Sequence, residues 1–127
     1  MSTGTLINIV IIVLIAWFAY SRMKPGKGLR NLNAEAFKEE SVKYGALIID
    51  VREPGEFKSG FIPGARNIPL SQLSRRLGDI PRDKTLLLYC RSGMRSKNAA
   101  ALLRKNGYSD LAHLQGGISA WKGKLAK

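Results

Sequence analysis

The sequence predicts an α/β fold built on a largely parallel sheet, and three observations carry that prediction. Two short apolar runs, Ala46–Val51 (ALIIDV) and Thr85–Cys90 (TLLLYC), lack the polar alternation of a half-exposed strand. They read as strands buried on both faces. A helix-forming run, Ser96–Asn106, follows the second, and short helical and strand-like segments alternate elsewhere. Each apolar run also ends in chemically useful side chains, Asp50-Val51-Arg52 in one case and Cys90 in the other. In open α/β sheets ligands sit outside the carboxyl ends of the strands, so both groups are expected on one rim.

The amino-terminal stretch stands apart. All 21 Lys+Arg and all 9 Asp+Glu lie from Arg22 onward, so the net charge of +12 belongs entirely to that part. Leu6–Tyr20 is apolar on every helical face except at Asn8, which fits a helix in lipid or a deeply buried one. The uncharged run Ser2–Ser21 would be about 30 Å long as a helix, enough for a bilayer core. Trp17 and Tyr20 suit an interfacial aromatic belt. A cleaved secretory signal would need a basic start and a small-x-small cleavage site, and neither is present. Residues 1–22 are therefore expected to form a transmembrane helix that meets the membrane through residues 5–21.

Arg22, Lys24, Lys27 and Arg30 crowd the far end of that helix, whereas Met1–Thr5 has no basic side chain. The positive-inside bias predicts a single-pass protein of the cell membrane with a cytoplasmic carboxy-terminal domain. The same four charges would each add about 1 kcal/mol of attraction to anionic headgroups. Residues 23–31 read as a basic linker, in which Pro25, Gly26 and Gly28 stop the helix. Residues 32–127 read as the folded domain.

Within that domain, Asn31–Tyr44 reads as an amphipathic helix capped by Asn33, with Phe37 and Val42 inward and Gly45 closing it. Glu53–Phe57 turns into a short helix, and Gly60–Pro69 is loop with at most a short strand. Ser71–Leu77 reads as a surface helix carrying Leu70, Leu73 and Leu77 on one face, and Asp79–Asp83 as a turn. Gly107 is placed to cap the helix after Ser96. Leu111–Leu114 is a third strand candidate, Gln115–Gly117 a tight turn, and Ile118–Trp121 the start of a last helix anchored by Trp121.

The chemistry concentrates in Tyr89-Cys90-Arg91-Ser92-Gly93-Met94-Arg95-Ser96. A strand, a glycine-containing loop and a helix N-terminus make an anion cradle, because first-turn N–H groups lack intrahelical partners and the helix dipole is positive there. A thiol at its lip, with Arg91 and Arg95 on the same loop, is expected to favour its thiolate. Gly93 lets the backbone turn inward without a Cβ. Cys90 is the single cysteine, so no intrachain disulfide and no Cys-rich zinc site can form. His113 is the single histidine and reads as structural; no metal and no cofactor is expected. Asp50 with Arg52 reads foremost as a structural ion pair, with support of the site as its secondary role. The basic residues are scattered without aromatic interleaving, which argues against a nucleic-acid partner.

At these residues the chain resembles the single-domain rhodaneses, a family of sulfurtransferases. The resemblance rests on Asp50-Val51-Arg52-Glu53 with Glu56-Phe57, and on Gly60-Phe61-Ile62-Pro63-Gly64-Ala65 with Asn67-Ile68-Pro69. It continues through Tyr89–Ser96 and through Gly116-Gly117-Ile118 with Ala120-Trp121, in the family's order and across about residues 33–123. It implies a five-stranded parallel sheet with helices on both faces, and a cysteine persulfide as covalent intermediate. Cys90 would be the nucleophile toward a small anionic donor such as thiosulfate or polysulfide. The N–H groups of Arg91–Ser96 would hold the outer sulfur or the donor's oxyanion, and a thiol or cyanide-like acceptor would take the sulfur.

Two positions depart from relatives: Phe61 stands where many have histidine, and Ser92 where the mammalian thiosulfate enzyme has lysine. Phosphatases of this fold use Cys-x5-Arg, but six after Cys90 is Ser96 and the arginine falls at Arg95, so the loop is one residue short. Two other readings compete with the enzyme. One is a non-catalytic module that binds an anion or a partner at the membrane; the other is a sulfur carrier facing tRNA.

Overall fold

The computed structural model describes residues 2–23, 29–43 and 45–127. Lys24–Gly28 of the expected linker, and Tyr44 of the expected first domain helix, lie outside the described residues. The chain begins with helix α1, Thr3–Met23, whose start is capped by Ser2: its hydroxyl accepts the Thr5 N–H at 3.3 Å. Residues Thr3–Tyr20 average a hydropathy of 2.1 and none is buried against the rest of the chain. By length and composition α1 suffices to cross a membrane.

Among the described residues five strands form one parallel sheet: β1 Leu29–Leu32, β2 Ala46–Asp50, β3 Arg66–Asn67, β4 Thr85–Tyr89 and β5 Leu111–Leu114, in the order β1-β5-β4-β2-β3. The central strands are the apolar runs, as their lack of alternation requires. Leu86, Leu88 and Cys90 face Ala99, Ala100 and Leu103 of helix α4 (Met94–Lys105). Leu87 and Tyr89 face the opposite layer, Phe37 of helix α2 (Ala34–Ser41) and Trp121. Phe37 meets the rings of Tyr89 and Trp121 edge-on, each at 6.3 Å. Such contacts add about 0.5–1.5 kcal/mol beyond area burial. Helices thus cover both faces of the sheet.

Several boundaries differ from the sequence reading. Strand β1 occupies Leu29–Leu32, so the domain begins inside the expected linker and the first domain helix is only Ala34–Ser41. Arg30 and Asn31 are exposed between half-buried Leu29 and Leu32, so this short edge strand has no alternation to mark it in the sequence. Arg30 pairs within the domain, with Glu40 at 2.9 Å and Asp110 at 3.4 Å. Asn33 caps α2 as its residue type predicts, accepting the Ala36 N–H at 2.8 Å. Val42 lies past the last turn and is 82% exposed, not inward.

Pro54–Lys58 forms the short helix α3, opened by a reciprocal capping box between Glu53 and Glu56. The expected surface helix is a pair of 3-10 helices, Leu70–Arg75 and Leu77–Asp79, with Leu73 fully buried. The last expected helix is one 3-10 turn, Gly117–Ala120. The carboxy-terminal tail returns to the domain, Phe61 and Ala126 exchanging backbone hydrogen bonds of 3.0 and 2.8 Å. Phe61, in the place of the relatives' histidine, stacks on Phe57 with ring centroids 4.1 Å apart.

Candidate active site

Strand β4 delivers Cys90 to the carboxyl rim, where β2 delivers Asp50 beside it; Asp50 is in register with Tyr89, and the Val51 N–H donates to the Tyr89 carbonyl at 3.0 Å. The sequence-predicted groups therefore share one rim but do different things there.

Cys90 is 1% exposed and its sulfur sits inside the loop. The N–H of Gly93 points at Sγ from 3.0 Å and the N–H of Ser96 from 3.4 Å. Gly93 adopts φ +112, a left-handed conformation open to glycine, and so aims its N–H inward as it begins α4. Burial pushes the thiol up, but the N–H groups of Ser96 and Gly93, the Ser96 hydroxyl and the Ser92 N–H together hold it below its ordinary value of 9.0. The thiolate is thus stabilised by backbone dipoles at a helix start.

The two arginines differ in their surroundings. Arg91 is exposed. Arg95 is gripped by Glu56 of α3, its Nη1 and Nη2 donating to the two carboxylate oxygens at 2.7 and 2.9 Å. That fork holds the Glu56 carboxyl down at about 2. An arginine committed to a carboxylate is not free to clasp a phosphate, which agrees with the short loop. Ser92 and Met94 are exposed on the lip, and Ser96 is fully buried behind the sulfur.

Asp50 and Arg52 close on each other. Arg52 Nε donates to both Asp50 oxygens at 3.0 Å, and Nη2 to Oδ2 at 2.7 Å, with both residues buried. Arg52 Nη2 also ties the Gly60 carbonyl at 2.7 Å, and the Asn67 amide binds the carbonyls of Asp50 and Arg52. This pair is a brace for the loops around the rim.

Two features of the site carried little signal in the sequence. The first is the turn after β5. Ile118 and Ser119 N–H groups donate to the carbonyls of Cys90 and Arg91, at 2.8 and 3.3 Å. Gly117, at φ +63, lies so close that an added Cβ would stand 2.4 Å from the Arg91 carbonyl carbon and oxygen. The Gly116-Gly117 pair announced a turn, but not that the turn presses on the cysteine loop. The second is His113, which is buried on β5 with Nδ1 2.9 Å from the Ser96 hydroxyl and Nε2 bonded to Asn31 Oδ1 on β1. Burial, then the Lys97 charge, holds its imidazole below the ordinary 6.5, so it is neutral at pH 7. Ser92, Gly93, Lys97, His113 and Asn31 line a cavity of about 330 Å³ on this side of the loop.

Comparison with known proteins accounts for this architecture. The profile of the rhodanese-like domain matches residues 33–124. The uncharacterized Bacillus subtilis protein YqhL is 45% identical over 115 residues, covering 91% of this chain and 86% of that one. A sulfurtransferase of Allochromatium vinosum is 43% identical over 75 residues, 59% of this chain and 70% of that one. The crystal structure of a rhodanese-related protein from Thermoplasma volcanium superposes with a TM-score of 0.69 at 32% identity, covering 76% of this chain and 97% of that one. With its five-stranded parallel sheet and its buried cysteine cradled by the start of α4, the chain belongs to the rhodanese-like domain family, whose members include sulfurtransferases.

Proposed function

We propose that the protein is a membrane-anchored sulfurtransferase that carries sulfane sulfur as a persulfide on Cys90. The observation that supports this most strongly is the pair of N–H groups, from Gly93 and Ser96, converging on a buried sulfur. They stabilise a thiolate before reaction, and the same cradle suits the persulfide anion after it. The Cys90 thiolate attacks the outer sulfur of thiosulfate or a polysulfide, whose S–S bond breaks. With thiosulfate the leaving group is sulfite, which departs with the bonding electron pair. A thiolate or cyanide then takes the outer sulfur and returns the Cys90 thiolate. Exposed Arg91 and the positive start of α4 would draw the anionic donor to the lip. Helix α1 would hold the domain at the cytoplasmic face of the membrane, because the basic residues follow the span.

The decisive experiment is the intact mass of the full chain in detergent after exposure to thiosulfate or polysulfide. One added sulfur, removed by a reductant and absent from Cys90→Ser, is expected. A folded chain that takes up none overturns the carrier reading in favour of a binding module. For the anchor, protease should reach the domain in inverted membrane vesicles and not in right-side-out ones; the opposite pattern overturns the orientation.

A further inference from the structure

Behind the sulfur lies a continuous hydrogen-bonded path. Cys90 Sγ is 3.7 Å from Ser96 Oγ, Ser96 Oγ is 2.9 Å from His113 Nδ1, and His113 Nε2 meets Asn31 Oδ1. An amide oxygen cannot donate, so Nε2 carries the ring proton and Nδ1 is left as an acceptor. We propose that His113 is the proton acceptor for Cys90, reached through the Ser96 hydroxyl. This rests on Cys90 being the sulfur carrier. The Ser96 hydroxyl has two acceptors within reach, the Gly93 carbonyl at 3.0 Å and Nδ1 at 2.9 Å; once it is turned to Nδ1, its proton passes to the ring while the thiol S–H passes its proton to Ser96 Oγ. The electron pair stays on sulfur as thiolate, and Ser96 now donates to it instead of accepting from it. When the acceptor has taken the outer sulfur, the proton returns along the same path. His113 acts on sulfur only through Ser96, so it is a positioning residue.

The groups facing His113 set the balance of this exchange. Helix α4 contributes Ser96 and Lys97, β1 contributes Asn31, and the turn after β5 contributes Gln115 and Gly116 to the shared cavity. Lys97 and burial both oppose the imidazolium, and none of the residues lining this cavity is a carboxylate that would trap it. The imidazole is thus neutral and open to the proton that Cys90 gives up as its thiolate forms.

Because His113 is the single histidine, ¹⁵N-histidine labelling of the full chain in detergent micelles observes it alone. The expected result is the Nε2–H tautomer at neutral pH, and a His113 titration that moves when Cys90 is alkylated with iodoacetamide. Ser96→Ala should abolish that coupling and Ser96→Thr should restore it. Alkylation of Cys90 should slow about tenfold at pH 7 in His113→Gln and lose its inflection in the His113 range. An Nδ1–H tautomer in the unmodified chain, or a titration indifferent to Cys90, overturns the relay. Sulfur uptake is scored by intact mass on the same samples. Uptake with an indifferent histidine overturns the relay alone, and no uptake with a coupled histidine overturns the carrier reading alone.

Discussion

The ends of β2 and β4 lie side by side, yet they solve the problem of a buried ionisable group in opposite ways. At the end of β2, Asp50 is neutralised by the guanidinium of Arg52 two residues away, and both are buried. At the end of β4, the Cys90 sulfur faces backbone N–H groups, and the nearby Arg95 is taken by Glu56. A charge matched by a counter-charge is satisfied and inert, and removing one partner leaves the other stranded. A charge held by fixed dipoles keeps its nucleophilicity, because no counter-ion has to leave before it reacts. The contrast separates the ion-paired half of the rim from the half to which we assign the chemistry.

Substitutions should sort accordingly. The largest effect is on chemistry: Cys90→Ser takes sulfur uptake to background while the urea midpoint stays near that of the parent. A parallel loss of stability would blur the contrast. Next, Asp50→Ala strands Arg52 and should cost about 3–5 kcal/mol of stability in urea unfolding. A cost below about 1 kcal/mol would show that solvent reaches this pair as it reaches a surface one. Gly117→Ala should cost about 1–3 kcal/mol, because it strains a left-handed residue and drives a Cβ into the Cys90–Arg91 peptide. It should also slow Cys90 alkylation, since the loop must shift; a variant with unchanged reactivity would detach that turn from the site.

The smallest effect is at the Glu56–Arg95 fork, which is one-third exposed on each side and screened by solvent. Glu56 is depressed from 4.5 to about 2, so its contribution is complete above pH 4.5 and fades as pH falls toward 2. Glu56→Gln should flatten thermal stability in that window alone. A flattening near neutrality would implicate His113 instead. Its folded-state value is lowered, so protonation favours the unfolded chain and stability declines below pH 6.5.

Much of this was legible from residue order because the strongest physical signals are local. ALIID and TLLLY are apolar without alternation, and central parallel strands must be. Asn33 and Gly93 occupy positions where their side chain, or its absence, does a specific job. Strand β1 was not legible, because LRNL is half polar and takes its identity from pairing with β5, 82 residues away between Asn31 and His113. The expected α-helix over Ser71–Leu77 is instead two 3-10 helices that meet at Arg76, with Leu73 buried from the first. The partner of Arg95 was hidden for a related reason. Its position in the loop was visible, but the carboxylate that pairs with it comes from α3, 39 residues earlier. His113 was invisible as a partner of the site for the same cause, its contacts being entirely between strands and helix.

The sheet order has a consequence for how the protein is made. Strand β1 follows α1 and is among the first parts of the domain to leave the ribosome, but its neighbour in the sheet is β5. The turn that braces the Cys90 carbonyl comes later still, at Gly117–Ala120. Until that turn is synthesised the sulfur has no finished cradle, and until β1 docks His113 has no Asn31. The surroundings that hold the thiol below its ordinary value are therefore completed only when nearly the whole chain has been made.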